Sequence, residues 1–253
     1  MPTFHWKSSS AGRLEPLPAP VRSSRAGGRF RLYSIAPFSA LIGLMPILQS
    51  DCGGDPGDDT VTAAELLAVT DSCAPLAGVS RFATDSGGSS TVQLCGLEGA
   101  IFFKADMDID CDGGTESACE ADPYYQPETS CVDSGGDPLD ASNLPFVVLP
   151  LDSNGFDDAN YGIRCGSVVA VVYGDQVEYG VVGDRGPKGV IGEASYAMAE
   201  LFGINPSPVS GGVDSGVTYI VFSDNAVVSP IESHTAAETL GTQEALELIA
   251  NNP

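Results

Sequence analysis

Two acidic residues near the end of a predicted strand are the strongest candidates for chemistry. Asp184 lies in the Gly/Pro turn GDRGP, after a strand that we predict to end at Gly183, and Glu193 is predicted to begin a helix. Because a strand end and a helix start can face one cleft, the two carboxyl groups can act together. Hydrolysis of a glycosidic bond needs such a pair, one group to donate a proton and the other to activate water. Spacing alone favours a simpler alternative, a turn aspartate and a helix-capping glutamate with structural roles.

The neighbours of the two acids differ in character. Arg185 stands beside Asp184 and would favour its ionised form if the side chain reaches it. Glu193 lies among Ile191, Gly192 and Ala194, and burial there would raise its pKa.

A second acidic segment, KADMDIDCDGG, is predicted to be a loop over residues 106–116. It places Asp106, Asp108, Asp110 and Asp112 at alternate positions, so an extended chain would project all four from one face. Such crowding favours a cationic partner. One candidate is calcium at Asp108, Asp110 and Asp112, although position twelve of an EF-hand loop then falls on Cys119 instead of glutamate. A cationic substrate and a solvated acidic loop are the alternatives.

Charge divides the chain into a basic leader and an acidic remainder. Residues 1–51 hold six of the 11 Lys and Arg residues, which leaves five cations and 32 acids beyond them, a net charge of −27. This balance excludes a nucleic-acid binder that works through a basic surface. Arg29 and Arg31 precede an apolar run over residues 32–48, as in a secretory signal peptide, and Pro37 and Pro46 argue against a stable membrane span.

These features predict the organisation of the chain. Residues 1–52 are a leader with Cys52 as a candidate lipidation site, residues 53–60 are a linker, and residues 61–253 are one catalytic domain. An N-terminal membrane anchor is the alternative for the leader. Six cysteines follow Cys52, an even number that favours disulfides in an exported protein, with the pairing left open.

The mature region is predicted to be mainly β with short helices. Strands are expected at 99–104, 146–149, 167–173, 177–182 and 217–222, and helices at 62–69, 194–202 and 236–250. Gly174-Asp175 is a hairpin turn signal between two of the strands.

Four blocks in order resemble the chitosanases of glycoside hydrolase family 75: KADMDIDCDG, DPYYQPETS, GDRGPKGVIGEASYAMAELFGINP and GGVDSGVTYIVF. The likeness runs from about residue 61 to 232. It implies a secreted endo-chitosanase that cuts β-1,4 links between glucosamine units of chitosan with inversion. The catalytic acids of the family fall on Asp184 and Glu193.

The segment from Val168 to Ile204 also resembles the strand–strand–DRGP–helix unit of double-psi β-barrels, found in rare lipoprotein A-like lytic transglycosylases and family 45 endoglucanases. The resemblance implies a six-stranded barrel of this kind, linked by disulfides. By analogy with those enzymes, Asp184 is expected to be the general acid and Glu193 the base, although the local environments argue for the reverse.

The resemblance gives the remaining acidic and aromatic residues expected roles. Asp106, Asp108 and Asp110 would pair with amines of the substrate, Tyr124 and Tyr125 would stack on sugar rings, and Asp214 would line the cleft. Loop packing for the tyrosines and a structural turn for Asp214 are the alternatives.

The expected protein is an extracellular monomer that needs no metal or other cofactor. Two other functions stay open: a lytic enzyme acting on cell-wall glycans with the same barrel, and a non-catalytic surface module stabilised by calcium.

Overall fold

The structure is a computed structural model that describes residues 60–224 and 226–253. The predicted leader, Cys52 and the linker up to residue 59 lie outside the described residues. Within the described part, none of the helices has the length and apolar character needed to cross a membrane.

Within the described residues, seven strands and three α-helices form the domain. The strands are β1 (Cys95–Leu97), β2 (Ala100–Asp110), β3 (Phe146–Pro150), β4 (Val168–Tyr173), β5 (Gln176–Gly186), β6 (Glu193–Ser195) and β7 (Val213–Phe222). The helices are α1 (Ala63–Val69), α2 (Tyr196–Leu201) and α3 (His234–Asn251), with short 3-10 turns at Cys119–Ala121 and Asp158–Tyr161.

Six of the strands close into a barrel in the order β2-β6-β3-β5-β4-β7, and β7 pairs back with β2. The pairs β2–β6 and β3–β5 are parallel and the other pairs in the ring are antiparallel. β1 pairs with the first residues of β2 outside the ring. The predicted six-stranded, mainly β barrel is confirmed, and so is the two-residue hairpin turn at Gly174-Asp175 between β4 and β5.

Alternating side chains along the strands divide the apolar residues into two clusters. One cluster fills the barrel and includes Phe103, Val147 and Tyr219. The other covers the outside of the barrel, where Leu66 of α1 and Leu248 of α3 pack on it. Burial on both faces explains why β3 and β4 are nearly continuous runs of apolar residues.

Three disulfides join cysteines of the described part of the chain: Cys73–Cys95, Cys111–Cys119 and Cys131–Cys165. The predicted use of all six cysteines is confirmed. The third disulfide fixes the segment around Cys131, whose backbone N–H donates to the Gly183 carbonyl of β5 at 3.3 Å.

The structure corrects two predicted boundaries at the acidic residues. β2 continues to Asp110, so residues 106–110 of the predicted loop are strand, and of the four aspartates only Asp112 lies in the turn beyond it. β5 continues to Gly186, so Asp184 lies inside a strand, because residues 184–186 pair with β3. Gly and Pro around this segment mark the end of the strand, three residues later than predicted.

The third correction concerns Glu193, which begins a short strand and not a helix. β6 is held from both sides, since it pairs with β2 and with β3. The helix starts after Ser195, whose hydroxyl accepts a hydrogen bond from the Met198 N–H and caps it.

A bulge in β5 turns Asp184 toward the outer face of the barrel. Val147 pairs with Val182, but Val148 pairs with Asp184, so Gly183 is an extra residue on β5. Without it, Asp184 would share the inward direction of Val182. Glycine is required because a Cβ at residue 183 would lie 2.5 Å from the Phe146 ring.

Candidate active site

Asp184 and Glu193 lie in one row across three neighbouring strands. Val148 in β3 is the Cα partner of Asp184 in β5 and of Glu193 in β6. Asp108 in β2 extends the row, because it pairs with Glu193 in the next strand. Paired residues in a ladder direct their side chains to the same face, so the three carboxylates share one surface.

This surface is the floor of a groove of about 850 Å³. The floor is acidic, and two loops form its walls at residues 84–86 and 207–211. The acids that line it are Asp85, Asp108, Asp110, Asp112, Asp122, Asp184 and Glu193.

Asp184 is buried and held by backbone donors. Its Oδ1 accepts hydrogen bonds from the N–H groups of Ser130 at 2.7 Å and Arg185 at 2.6 Å. Both bonds use the same oxygen, which leaves Oδ2 for another partner. The condition set for Arg185, that its side chain reach Asp184, is not met in the described structure, where its guanidinium pairs with Asp158.

Glu193 reaches across β3 toward β5. Its Oε2 lies 2.7 Å from the position that a Cβ would take on Gly186, so the carboxylate rests above a residue without a side chain. Burial raises the pKa of Glu193 to about 7, and the charges of Asp108, Asp112 and Asp184 add to the effect. Glu193 therefore keeps its proton to a higher pH than an exposed glutamate.

Asp184 also approaches two further carboxylates of the groove. One oxygen from each of Asp110, Asp112 and Asp184 lies within 4.8 Å of the others. Burial raises the pKa of Asp112 to about 6 and that of Asp110 well above its usual value. Oxygen donors of this kind suit calcium. The group contains Asp184 where the sequence predicted Asp108, and calcium binding stays a prediction.

Asp106 differs from its neighbours in β2. Its side chain is buried, does not line the groove, and lies against Gly192, where a Cβ would be 2.1 Å from Oδ1. Oδ1 has no hydrogen-bond partner among the described residues. Burial, together with the charge of Asp108, raises the pKa of Asp106 to about 7.

The remaining residues predicted to contact the substrate differ in whether they line the groove. Tyr124 is 83 % exposed and lines the groove, whereas Tyr125 is half-buried and does not line it. Asp214 is exposed and does not line the groove. Its charge nevertheless raises the pKa of both Asp106 and Asp108.

Sequence reasoning missed three residues of the site. Asp85 reaches the groove because Ala83 bridges to Val190, next to β6. The Ser130 N–H binds Asp184 although 54 positions separate the two residues. Gly186 makes room for Glu193. The GDRGP segment was a local signal for Gly186, but neither of the other two has one.

Asp106→Asn tests the burial of this carboxyl group. The folded-state pKa of about 7 exceeds the usual 3.8, so the ionised form is disfavoured in the folded protein. The protein should therefore lose stability as pH rises from about 4 through 7, and the variant should lose less of it. Melting temperatures at pH 5 and pH 8 measure this. An equal pH dependence in both proteins would contradict the assignment.

Comparison with known proteins identifies the family. Residues 107–251 match the model of fungal chitosanases of glycosyl hydrolase group 75. Endo-chitosanase B of Aspergillus oryzae is 33 % identical over 189 residues, which are 66 % of this chain and 78 % of that protein. An endo-chitosanase of Aspergillus fumigatus is 36 % identical over 131 residues, 46 % of this chain and 55 % of that protein.

The family match also corrects the extent of the likeness, which continues through α3 to residue 251 and does not stop at 232. Among solved structures, a Streptomyces papain inhibitor is 19 % identical, and the match covers 47 % of this chain and 94 % of that protein. The TM-score is 0.28, too slight a likeness to support an argument. The family model spans more than half of the chain, and the chain therefore belongs to glycosyl hydrolase group 75, the family of fungal chitosanases.

Proposed function

We propose that this protein is a secreted endo-chitosanase that hydrolyses β-1,4 links of chitosan with inversion, using Asp184 and Glu193 as its acid–base pair. The observation that carries the proposal is the row in which both acids flank Val148. Endo-chitosanases of Aspergillus at 33–39 % identity support the substrate. The three disulfides fit an oxidising compartment outside the cell.

We infer that Glu193 is the general acid and Asp184 the general base. With a pKa of about 7, Glu193 holds a proton at the pH of a neutral or mildly acidic medium and can give it to the leaving oxygen. Asp184 is oriented by two N–H donors, which suit a carboxylate that accepts a proton from water. This division reverses the one expected by analogy with other barrel enzymes.

Inversion requires a particular separation of the two carboxyl groups. Asp184 and Glu193 lie on the strands to either side of β3. Inverting enzymes hold their two carboxyl groups about 6.5–9.5 Å apart, which leaves room for a water molecule, whereas retaining enzymes hold them about 5–5.5 Å apart. The proposed inversion therefore predicts the wider spacing.

The acidic floor supports a cationic polymer as substrate. Chitosan carries protonated amines, and a surface of net charge −27 beyond the leader attracts it at long range. Asp108 and Asp110 lie within the groove where amines on either side of the cut would pass. Asp106 is buried away from the lining, so its proposed role is to support β6, and Asp214 contributes charge from a distance.

Asp184→Asn and Glu193→Gln test the pair. Each variant should lower kcat on chitosan by about 100-fold or more, because each removes one proton transfer from the reaction. The melting temperature should not fall below that of the wild type, since both substitutions keep the shape of the side chain and remove a negative charge from an acidic cluster. Reducing-end assays measure the rate, and NMR of the first product should show the α-anomer.

Near wild-type turnover in either variant would refute its role. Loss of activity in only the Asp184 variant would favour a glycan lytic enzyme that works with a single catalytic acid.

Gly186→Ala tests the position of Glu193. The new methyl group would meet Oε2 of Glu193 at 2.7 Å and Cγ1 of Val148 at 3.0 Å, so the carboxylate must move. We expect kcat to fall about 10- to 100-fold with little change in folding, because even a small displacement of a catalytic group slows the reaction strongly. Gly135→Ala is the control, since its Cβ meets only the half-buried Asp133 at 3.2 Å, outside the groove. Unchanged kcat in Gly186→Ala would contradict this placement.

Asp108→Asn tests the assignment of the acid through the pH profile. Activity should fall as pH rises through about 7, where Glu193 loses its proton. Asp108 is the largest charge effect on Glu193, so its removal should lower the pKa of Glu193 and move this decline to lower pH. Asp175→Asn, in the β4–β5 turn, is the control.

Both enzymes act on the same polymer, so titration of substrate amines cancels from the comparison. A decline at the same pH in wild type and Asp108→Asn would exclude Glu193 as the titrating acid.

A further inference from the structure

Exposed large apolar side chains are concentrated in the groove. Among the described residues, six such side chains are exposed, and three of them line the acidic groove. The three in the groove are Tyr124, Leu151 and Val209, and those elsewhere are Val132, Leu201 and Leu246. Single exposed apolar residues are ordinary on a protein surface, but a cluster rimmed by polar groups marks a binding site.

Leu151 and Val209 come from separate segments and are held in place by backbone contacts. Leu151 follows β3, and its N–H donates to the Gly186 carbonyl at 3.1 Å while its own carbonyl accepts from Ser153 Oγ at 2.7 Å. Val209 is 66 % exposed, and its loop is closed by hydrogen bonds from Gly211 N–H to the Ser207 carbonyl at 2.7 Å. Neither side chain needs a disordered loop to become ordered before it can bind a ligand.

The combination of acidic and apolar side chains in one groove favours a particular class of ligand. Carboxylates attract cations, but a small cation or a basic peptide does not require isolated apolar side chains in the same groove. A pyranose ring of an amino sugar has polar edges with a cationic amine and two faces made of C–H groups. Such faces pack on aliphatic and aromatic side chains.

We propose that Leu151 and Val209 are specificity-determining residues that contact the faces of sugar rings along an amino-sugar chain bound in the acidic groove. This inference rests on the proposed function, since it assigns the same groove to the same class of polymer. It adds two contacts from residues outside the acidic and tyrosine motifs.

The two kinds of contact should respond differently to salt. Attraction between carboxylates and amines weakens as salt screens it, whereas apolar contact does not. Leu151 and Val209 should therefore contribute equally at low and high salt. Asp85, an exposed acid in the groove wall, should contribute chiefly at low salt.

Binding of a fully deacetylated glucosamine oligosaccharide tests the proposal. The measurement is calorimetry in the Glu193→Gln background, which slows cleavage, at low and high salt. Leu151→Ser and Val209→Ser should each weaken binding about 3- to 10-fold at both salt concentrations, because each removes apolar area from contact. Asp85→Asn should weaken binding at low salt only. Val132→Ser and Leu246→Ser are matched controls, exposed and outside the groove, and should have little effect.

The outcomes separate this proposal from the proposed function. Groove variants that bind as tightly as the controls, or lose affinity only at low salt, would overturn the ring contacts even if the wild type cleaves chitosan. A wild type that binds the oligosaccharide through these residues but releases no reducing ends from chitosan would support the contacts and refute the proposed hydrolysis. No binding by any variant or by the wild type would overturn both.

Discussion

The site depends on one constraint, the pairing of β3 with β5 on one side and β6 on the other. Val148 fixes the register of both neighbours, so Asp184 and Glu193 have no freedom to shift along their strands without breaking the barrel. The bulge at Gly183 completes the arrangement, because it brings Asp184 out to the face that Glu193 already occupies. A pair placed on rigid strands keeps its separation, which is what a mechanism with one bridging water requires.

Crowding of carboxylates has a consequence for stability. The acids near Glu193 raise one another's pKa values, and the same repulsion opposes folding whenever they are ionised. A structural role alone would not select this arrangement, since replacement by neutral residues would relieve it. A cationic ligand offsets the repulsion when it binds. In the free protein the groove carboxylates therefore repel one another, and binding of a polyamine would relieve that repulsion.

Much of this could be predicted from the sequence, and the failures have a common cause. Alternating apolar residues and the Gly174-Asp175 turn predicted the β4–β5 hairpin, because those signals are local. The strand character of Asp184 and Glu193 was missed, because it depends on pairing with β3 rather than on the residues themselves. Arg185 adjoins Asp184 in the sequence but pairs with Asp158, and Asp85 reaches the groove because Ala83 bridges to Val190. These contacts join distant parts of the chain, so no local pattern could have predicted them.

The two surfaces of the groove divide the task of recognition. Charge acts over a Debye length of about 8–10 Å and brings the polymer to the protein. Exposed ion pairs contribute only about 0–1 kcal/mol each, so they discriminate poorly among polycations. Apolar contacts act only at touching distance and depend on the shape of what they meet. Leu151 and Val209 can therefore distinguish a chain of rings from a flexible polyamine that the acids alone would attract equally well. Capture by charge and selection by shape would then reside in different residues of one groove, and each could change without loss of the catalytic pair.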